Sequence, residues 1–104
     1  MKVKTKDEVI KLISENIEFI RSFGVKRIGI FGSARRDELT EESDIDLFVE
    51  FENGRGNMKD FAGLVVFLEK LFEREVDVIT PYGLKQIHLQ WIKSSIEDEV
   101  EFIA

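Results

Sequence analysis

The sequence has no cysteine, one proline, one histidine and one tryptophan among its 104 residues. The missing thiols exclude disulfide frameworks, thiolate zinc sites, iron–sulfur clusters and cysteine nucleophiles. They fit a chain that works in a reducing cytoplasm. No apolar run approaches the ~20 residues that cross a bilayer, so no membrane role is expected. The opening Lys2-Val3-Lys4-Thr5-Lys6-Asp7-Glu8 has no apolar signal-peptide core. Positive charge is also short: 15 Lys and Arg stand against 21 Asp and Glu, a net charge of −6. A duplex nucleic-acid binder normally carries the opposite sign, because neutralising phosphates dominates its affinity. Bulk DNA or RNA binding is therefore not expected, although a local basic patch can still hold one triphosphate.

What remains is the composition of a single globular domain. Hydrophobic residues make up 43% and charged residues 35%, with nine Phe as core material. A chain of this size buries roughly 60–70% of the surface that its unfolded form exposes, enough for one core.

Thr5 through Glu8 has the spacing of a capping box. Behind it Ile10, Ile13, Ile17 and Ile20 recur at helical intervals, which predicts a helix over 6–23 that ends at Gly24. Arg27 to Phe31 reads as a buried strand, followed by a polar stretch over 34–43 with one helical turn and a loop. Asp44 to Phe51 is the clearest strand. Ile45, Leu47, Val49 and Phe51 share one face, and Asp44, Asp46, Phe48 and Glu50 share the other. The Gly- and Asn-rich 52–57 stretch reads as a connection, with Asn57 as cap of a helix whose stripe is Phe61, Leu64, Val65, Leu68 and Phe72. Glu75 to Ile79 is a third strand. Pro81-Tyr82-Gly83 then turns into a last helix bearing Leu84, Ile87 and Trp91. Val100 and Phe102 fit either a terminal strand or simple packing. This order predicts an α/β (α+β) fold, a small sheet with helices packed on one face. The pattern leaves the pairing sense of the first two strands open.

Asp44 and Asp46 are the first chemical signal. At i and i+2 on a strand they share a face, with Cα atoms about 6.6 Å apart at ~3.3 Å per residue. Two like charges on an apolar strand are costly unless a cation neutralises them, and hard carboxylate oxygens suit Mg²⁺ beside substrate phosphates. Asp77 sits mid-strand between Val76 and Val78. If its strand neighbours that of Asp46, three carboxylates converge on one face, a set able to hold two metal ions in phosphoryl transfer. Gly32-Ser33 closes a buried strand, where a glycine lets backbone N–H groups approach a phosphate and a serine adds a hydroxyl. Arg35 and Arg36 follow, two cations in an acidic chain. His88 and Trp91 read as packing or surface residues, and Tyr82 carries no chemical signal of its own.

Together these residues form one constellation: Gly32-Ser33, ten residues, Asp44-Ile45-Asp46, then a strand-borne Asp77. In this it resembles the minimal nucleotidyltransferase (MNT) family of the DNA polymerase β-like superfamily. The resemblance covers nearly the whole chain, as one nucleotidyltransferase domain over 1–104. It implies transfer of AMP from ATP to a hydroxyl. Asp44, Asp46 and Asp77 would hold two Mg²⁺ ions and carry catalysis, and Gly32, Ser33 and Arg36 would bind the phosphates. Stand-alone members similar to this one act as antitoxins that adenylylate a tyrosine of a HEPN-domain ribonuclease toxin, and such a toxin is the implied partner. Family members often read Gly-Ser-x-Ala-Arg-Gly, whereas here Arg35 replaces the alanine and Asp37 the final glycine. The turn after Arg36 is thus open. Two alternatives stay beside this reading: a non-catalytic nucleotide-binding antitoxin module, and a small-molecule nucleotidyltransferase of the antibiotic-modifying kind. Nucleotide preference and homo-oligomerisation are left open.

Overall fold

The structure, a computed structural model, describes residues 2–85, 96 and 98–104. Its order is α1 (Lys6–Glu15), α2 (Ile17–Arg21), β1 (Val25–Phe31), α3 (Gly32–Arg35), β2 (Ile45–Phe51), α4 (Met58–Phe72), β3 (Val76–Ile79), α5 (Pro81–Lys85) and β4 (Glu101–Phe102). The strands form one sheet in the order β3-β2-β1-β4. β2 runs antiparallel to β1 and parallel to β3, which resolves the pairing that length alone left open. The sheet is therefore mixed.

Local chemistry starts and stops the elements. Thr5 accepts a hydrogen bond from the Glu8 amide and opens α1, and Asn57 accepts one from the Asp60 amide and opens α4. The expected 6–23 helix is interrupted at Asn16. Its side-chain amide donates to the Leu12 carbonyl at 2.8 Å, and its backbone leaves helical geometry at φ −113°, ψ 17°. A short polar side chain competes with the helical ladder in this way. Helix α4 ends without a glycine: Glu73 takes the left-handed conformation itself, at φ 55°.

The alternation along β2 sorts its side chains. Ile45, Leu47 and Val49 are wholly buried against Ile28 and Ile30 of β1, Ile13 of α1 and Leu64, Leu68 and Phe72 of α4. This is the core face, covered by helices. Opposite it, Phe31 and Phe48 pack with Ile79, Ile96 and Val100 in a smaller cluster. The C-terminal residues do form a strand. Glu101 and Phe102 pair with Ile30 and Gly29. A Cβ on Gly29 would stand 2.7 Å from Val100 Cγ1 and 2.8 Å from the Glu101 carbonyl oxygen, so glycine is what lets β4 cross there. Phe102 then stacks edge-on against Phe48 and under the Arg27 guanidinium. His88 and Trp91, with Ile87, lie outside the described residues.

Candidate active site

Asp46 and Asp77 are brought together by register. The two residues are paired partners across the parallel β2–β3 ladder, and both point to the face opposite Leu47 and Val78, which pack in the core. Their strands are held in place from outside the ladder. The Val76 amide donates to Glu69 of α4 at 3.2 Å, and the Ile45 amide donates to the Glu75 carbonyl at 3.0 Å. The strand begins at Ile45, so Asp44 lies one residue before the ladder rather than within it.

Burial and neighbouring charge act in the same direction on Asp46. Desolvation pushes its carboxyl up to about 6, and the charges of Asp77, Asp44 and Glu99 add to this, together with a side-chain hydrogen bond to Asp77. Asp46 is half-buried, and the charges that raise it are those of other acids. Neighbouring like charges favour the protonated carboxyl. Among the described residues no group of three or more acid or imidazole side chains stands together as a ready-made metal cage. The donor set nonetheless fits a hard divalent cation: two facing carboxylates from the protein, with phosphate oxygens and water to complete the shell, is the usual magnesium arrangement.

Gly32 closes this site from the β1 side. It has φ 66°, and a Cβ built on it would fall 2.1 Å from Asp46 Oδ2. Any other residue there would collide with the carboxylate. Gly32 and Ser33 begin α3 at the end of β1, directly beside Asp46, since Phe31 and Asp46 are partners across β1–β2.

Asp37 answers the departure from the family pattern. It adopts φ 58°, the left-handed conformation that glycine favours and that aspartate tolerates better than most residues. Its Oδ1 accepts from the Lys6 amide at 2.8 Å, so the replacement gains an anchor onto the first turn of α1. Arg36 is exposed and already engaged, with Nε 3.3 Å from Glu38 Oε2 and Nη1 on Glu99 Oε1. Arg35 turns inward, and its Nε is buried without a hydrogen-bond partner among the described residues.

Two positions near the site were not visible in the sequence. Arg74 is buried, with Nε on the Val3 carbonyl at 2.9 Å and Nη1 on the Thr40 and Ser43 carbonyls at 2.8 and 2.6 Å. It fixes the loop that delivers Asp44 to the site. Glu99 comes from the far end of the chain, and its charge adds to those that raise Asp46. No local pattern marks either residue.

A family model described as "Nucleotidyltransferase domain" matches residues 10–103. The chain belongs to that family. Two curated relatives narrow the assignment to this nucleotidyltransferase's nearer kin. "Putative protein adenylyltransferase MJ1379" of Methanocaldococcus jannaschii is 37% identical over 103 residues, covering 97% of this chain and 100% of the relative. "Protein adenylyltransferase MntA" of Thermococcus cleftensis is 36% identical over 86 residues, covering 82% and 86%. Among solved structures, "Structure of putative minimal nucleotidyltransferase" aligns with a TM-score of 0.66 at 29% identity, over 88% of this chain and 93% of that one. "Crystal structure of the toxin-antitoxin with AMP-PNP" aligns with a TM-score of 0.60 over 95% and 72%. At 20% identity it speaks for the fold alone. The nucleotidyltransferase is thus of the minimal, MntA-like kind, with the polymerase β-like fold.

Proposed function

We propose that this nucleotidyltransferase is a magnesium-dependent protein adenylyltransferase, one domain over 1–104 acting in the cytoplasm as an antitoxin. It would move AMP from ATP to a tyrosine hydroxyl of a HEPN-type toxin. The observation that carries this reading is the Asp46–Asp77 pair held on the sheet face opposite the main core, against the Gly32 backbone. The adenylyltransferase names of two relatives support the reaction. The toxin–antitoxin crystal with an ATP analogue shares the fold.

In this reading Gly32 and Ser33 cradle the β- and γ-phosphates, and Arg36 adds positive charge beside them. Asp44 and Asp46 would hold a divalent metal ion there. Magnesium, when bound, neutralises the phosphates and fixes their geometry for in-line displacement. Asp77, the more exposed of the facing pair, draws the proton from the acceptor hydroxyl and would help to hold a second ion. The tyrosine oxygen forms a bond to the α-phosphorus, the α–β bridging bond breaks, and pyrophosphate leaves. The partner protein positions that hydroxyl, which supplies an entropic advantage no free tyrosine has.

The test is incubation with labelled ATP, Mg²⁺ and the product of the neighbouring gene, followed by mass spectrometric mapping. AMP on one tyrosine of that product is expected. Nucleotide binding without pyrophosphate release would instead make the chain a non-catalytic module. Efficient labelling of an aminoglycoside with no protein acceptor present would make it a small-molecule enzyme.

A further inference from the structure

The outer edge of the sheet beside Asp77 is a row of unpaired backbone groups. β3 is the terminal strand of the order β3-β2-β1-β4, paired on one side only. The Ile45 amide donates to the Glu75 carbonyl, which sets the phase of the parallel ladder. The amides of Asp77 and Ile79 turn towards β2, and those of Val76 and Val78 turn away. Glu69 takes the Val76 amide. Among the described residues nothing accepts from the Val78 amide, and nothing donates to the Val76 or Val78 carbonyl. No residue of β3 is fully buried, and Asp77 is exposed. The opposite edge is β4, which is 2 residues long and carries none of Asp44, Asp46 and Asp77.

We propose that the free edge of β3 is where the protein acceptor docks, as an extended segment that adds a strand to the sheet and lays its tyrosine beside Asp77. This deepens the reading of the chain as a protein adenylyltransferase and rests on it. A straight row of outward N–H and C=O groups matches another extended backbone. A helix has already spent its own groups internally, and a small alcohol has too few. A strand added there lies about 4.8 Å from β3. The residue that pairs with Asp77 projects to the same face as Asp77, whereas a slip of one residue turns it to the core face. Register therefore selects the tyrosine, while main-chain bonds supply affinity with little regard to sequence. The net charge of −6 favours a segment with lysines or arginines at its ends. In the transfer the tyrosine oxygen joins the α-phosphorus, pyrophosphate departs, and the phenolic proton passes to Asp77.

The test uses the full chain with labelled ATP, Mg²⁺ and a blocked peptide, Lys-Thr-Val-Tyr-Val-Thr-Lys, with tyrosine amide as the acceptor that cannot form a strand. Transfer to the peptide is expected at a kcat/KM at least about tenfold higher than to tyrosine amide. Methylating the peptide's backbone amides one at a time should lower kcat/KM about five- to tenfold at alternate positions. The positions between them should stay near the parent value, because their amides face away from the edge. Which alternate set is sensitive reads whether the segment runs parallel or antiparallel to β3. Val78→Pro removes the outward amide without touching the ladder to β2. It should raise KM for the peptide about fivefold or more and leave transfer to tyrosine amide unchanged. The methylation series decides the matter whether or not that variant folds. Loss at every methylated position, or at none, overturns the proposal. So does a wild-type dimer that Val78→Pro dissociates without changing peptide use, since the edge then belongs to a second copy. Labelling of the neighbouring gene's product with none on the peptide overturns this proposal and leaves the adenylyltransferase reading intact. No release of pyrophosphate with protein, peptide or tyrosine amide brings down that reading and this proposal together.

Discussion

The two faces of β2 are made by alternate residues of one seven-residue strand, yet they have opposite physical characters. Ile45, Leu47 and Val49 are fully buried beneath α1 and α4. Asp46 and Glu50, between and beyond them, lie on a face that α1 and α4 do not cover, where Phe48 helps build only a small cluster. The core face stabilises the sheet by removing apolar area from water. The other face carries a cost, because Asp46 is desolvated there and the charges of Asp77, Asp44 and Glu99 add to the effect. A period of two lets a single strand supply both, and the stability of one face tolerates the strain of the other.

The largest expected effect lies on the acidic face. Asp46→Asn keeps the shape and deletes the charge, so adenylyl transfer should fall by more than about 100-fold, beyond what loss of an outer partner of a metal site costs. The melting temperature should stay level or rise, since like charges are relieved. A fully active Asp46→Asn would break the division of labour. Leu47→Ala, one residue along, should do the opposite. It should cost about 3–5 kcal/mol of stability in denaturant titration, with transfer per folded molecule near that of the wild type.

Arg74→Met sharpens the comparison by addressing the loop that joins the faces. Losing three carbonyl hydrogen bonds from a buried guanidinium should cost about 2–4 kcal/mol. Because the Thr40–Ser43 segment leads into Asp44, activity should fall further than the loss of folded protein explains. Circular dichroism melts beside activity measurements separate the two effects.

The smallest effect is a pH dependence. Asp46 in the folded chain holds its proton to about pH 6, above the ordinary carboxylate range of the unfolded chain. Between about pH 4 and pH 6 the folded state thus binds more protons, and metal-free stability should decline as pH rises through that window. For a half-exposed group the decline should be on the order of 1 kcal/mol after solvent screening. Asp46→Asn should flatten it in chemical denaturation series run at several pH values. Adding Mg²⁺ should oppose it, because the ion competes with the proton for the same carboxylate.

Much of this was legible in the residues because it is local. The alternation along Ile45 to Phe51 announced which side chains share a face, and Thr5 and Asn57 announced the helix starts. Asp77 stood out as a strand acid between valines. Its register opposite Asp46 depended on which strands are neighbours, a non-local fact. The break at Asn16 was hidden because the isoleucine stripe runs straight through it, while the side chain takes the Leu12 carbonyl. Arg74 was hidden because Glu73 turns the chain without a glycine to signal it. The partners of Arg74 lie 31 to 71 residues away in the chain. Glu99 was hidden for the same reason, and the terminal strand stayed one of two alternatives for Val100 and Phe102 because it acquires meaning only where β4 meets β1.

The central claim is that the Asp46–Asp77 pair, with the Gly32 backbone beside it, is where a metal–triphosphate complex is held. Isothermal titration with Mg²⁺ and a non-hydrolysable ATP analogue tests it most directly, comparing the wild type with the Asp46→Asn/Asp77→Asn double variant. The account predicts metal-dependent binding by the wild type, and loss of the metal-dependent part in a double variant that melts no lower. Unchanged metal-dependent affinity in the double variant would contradict it.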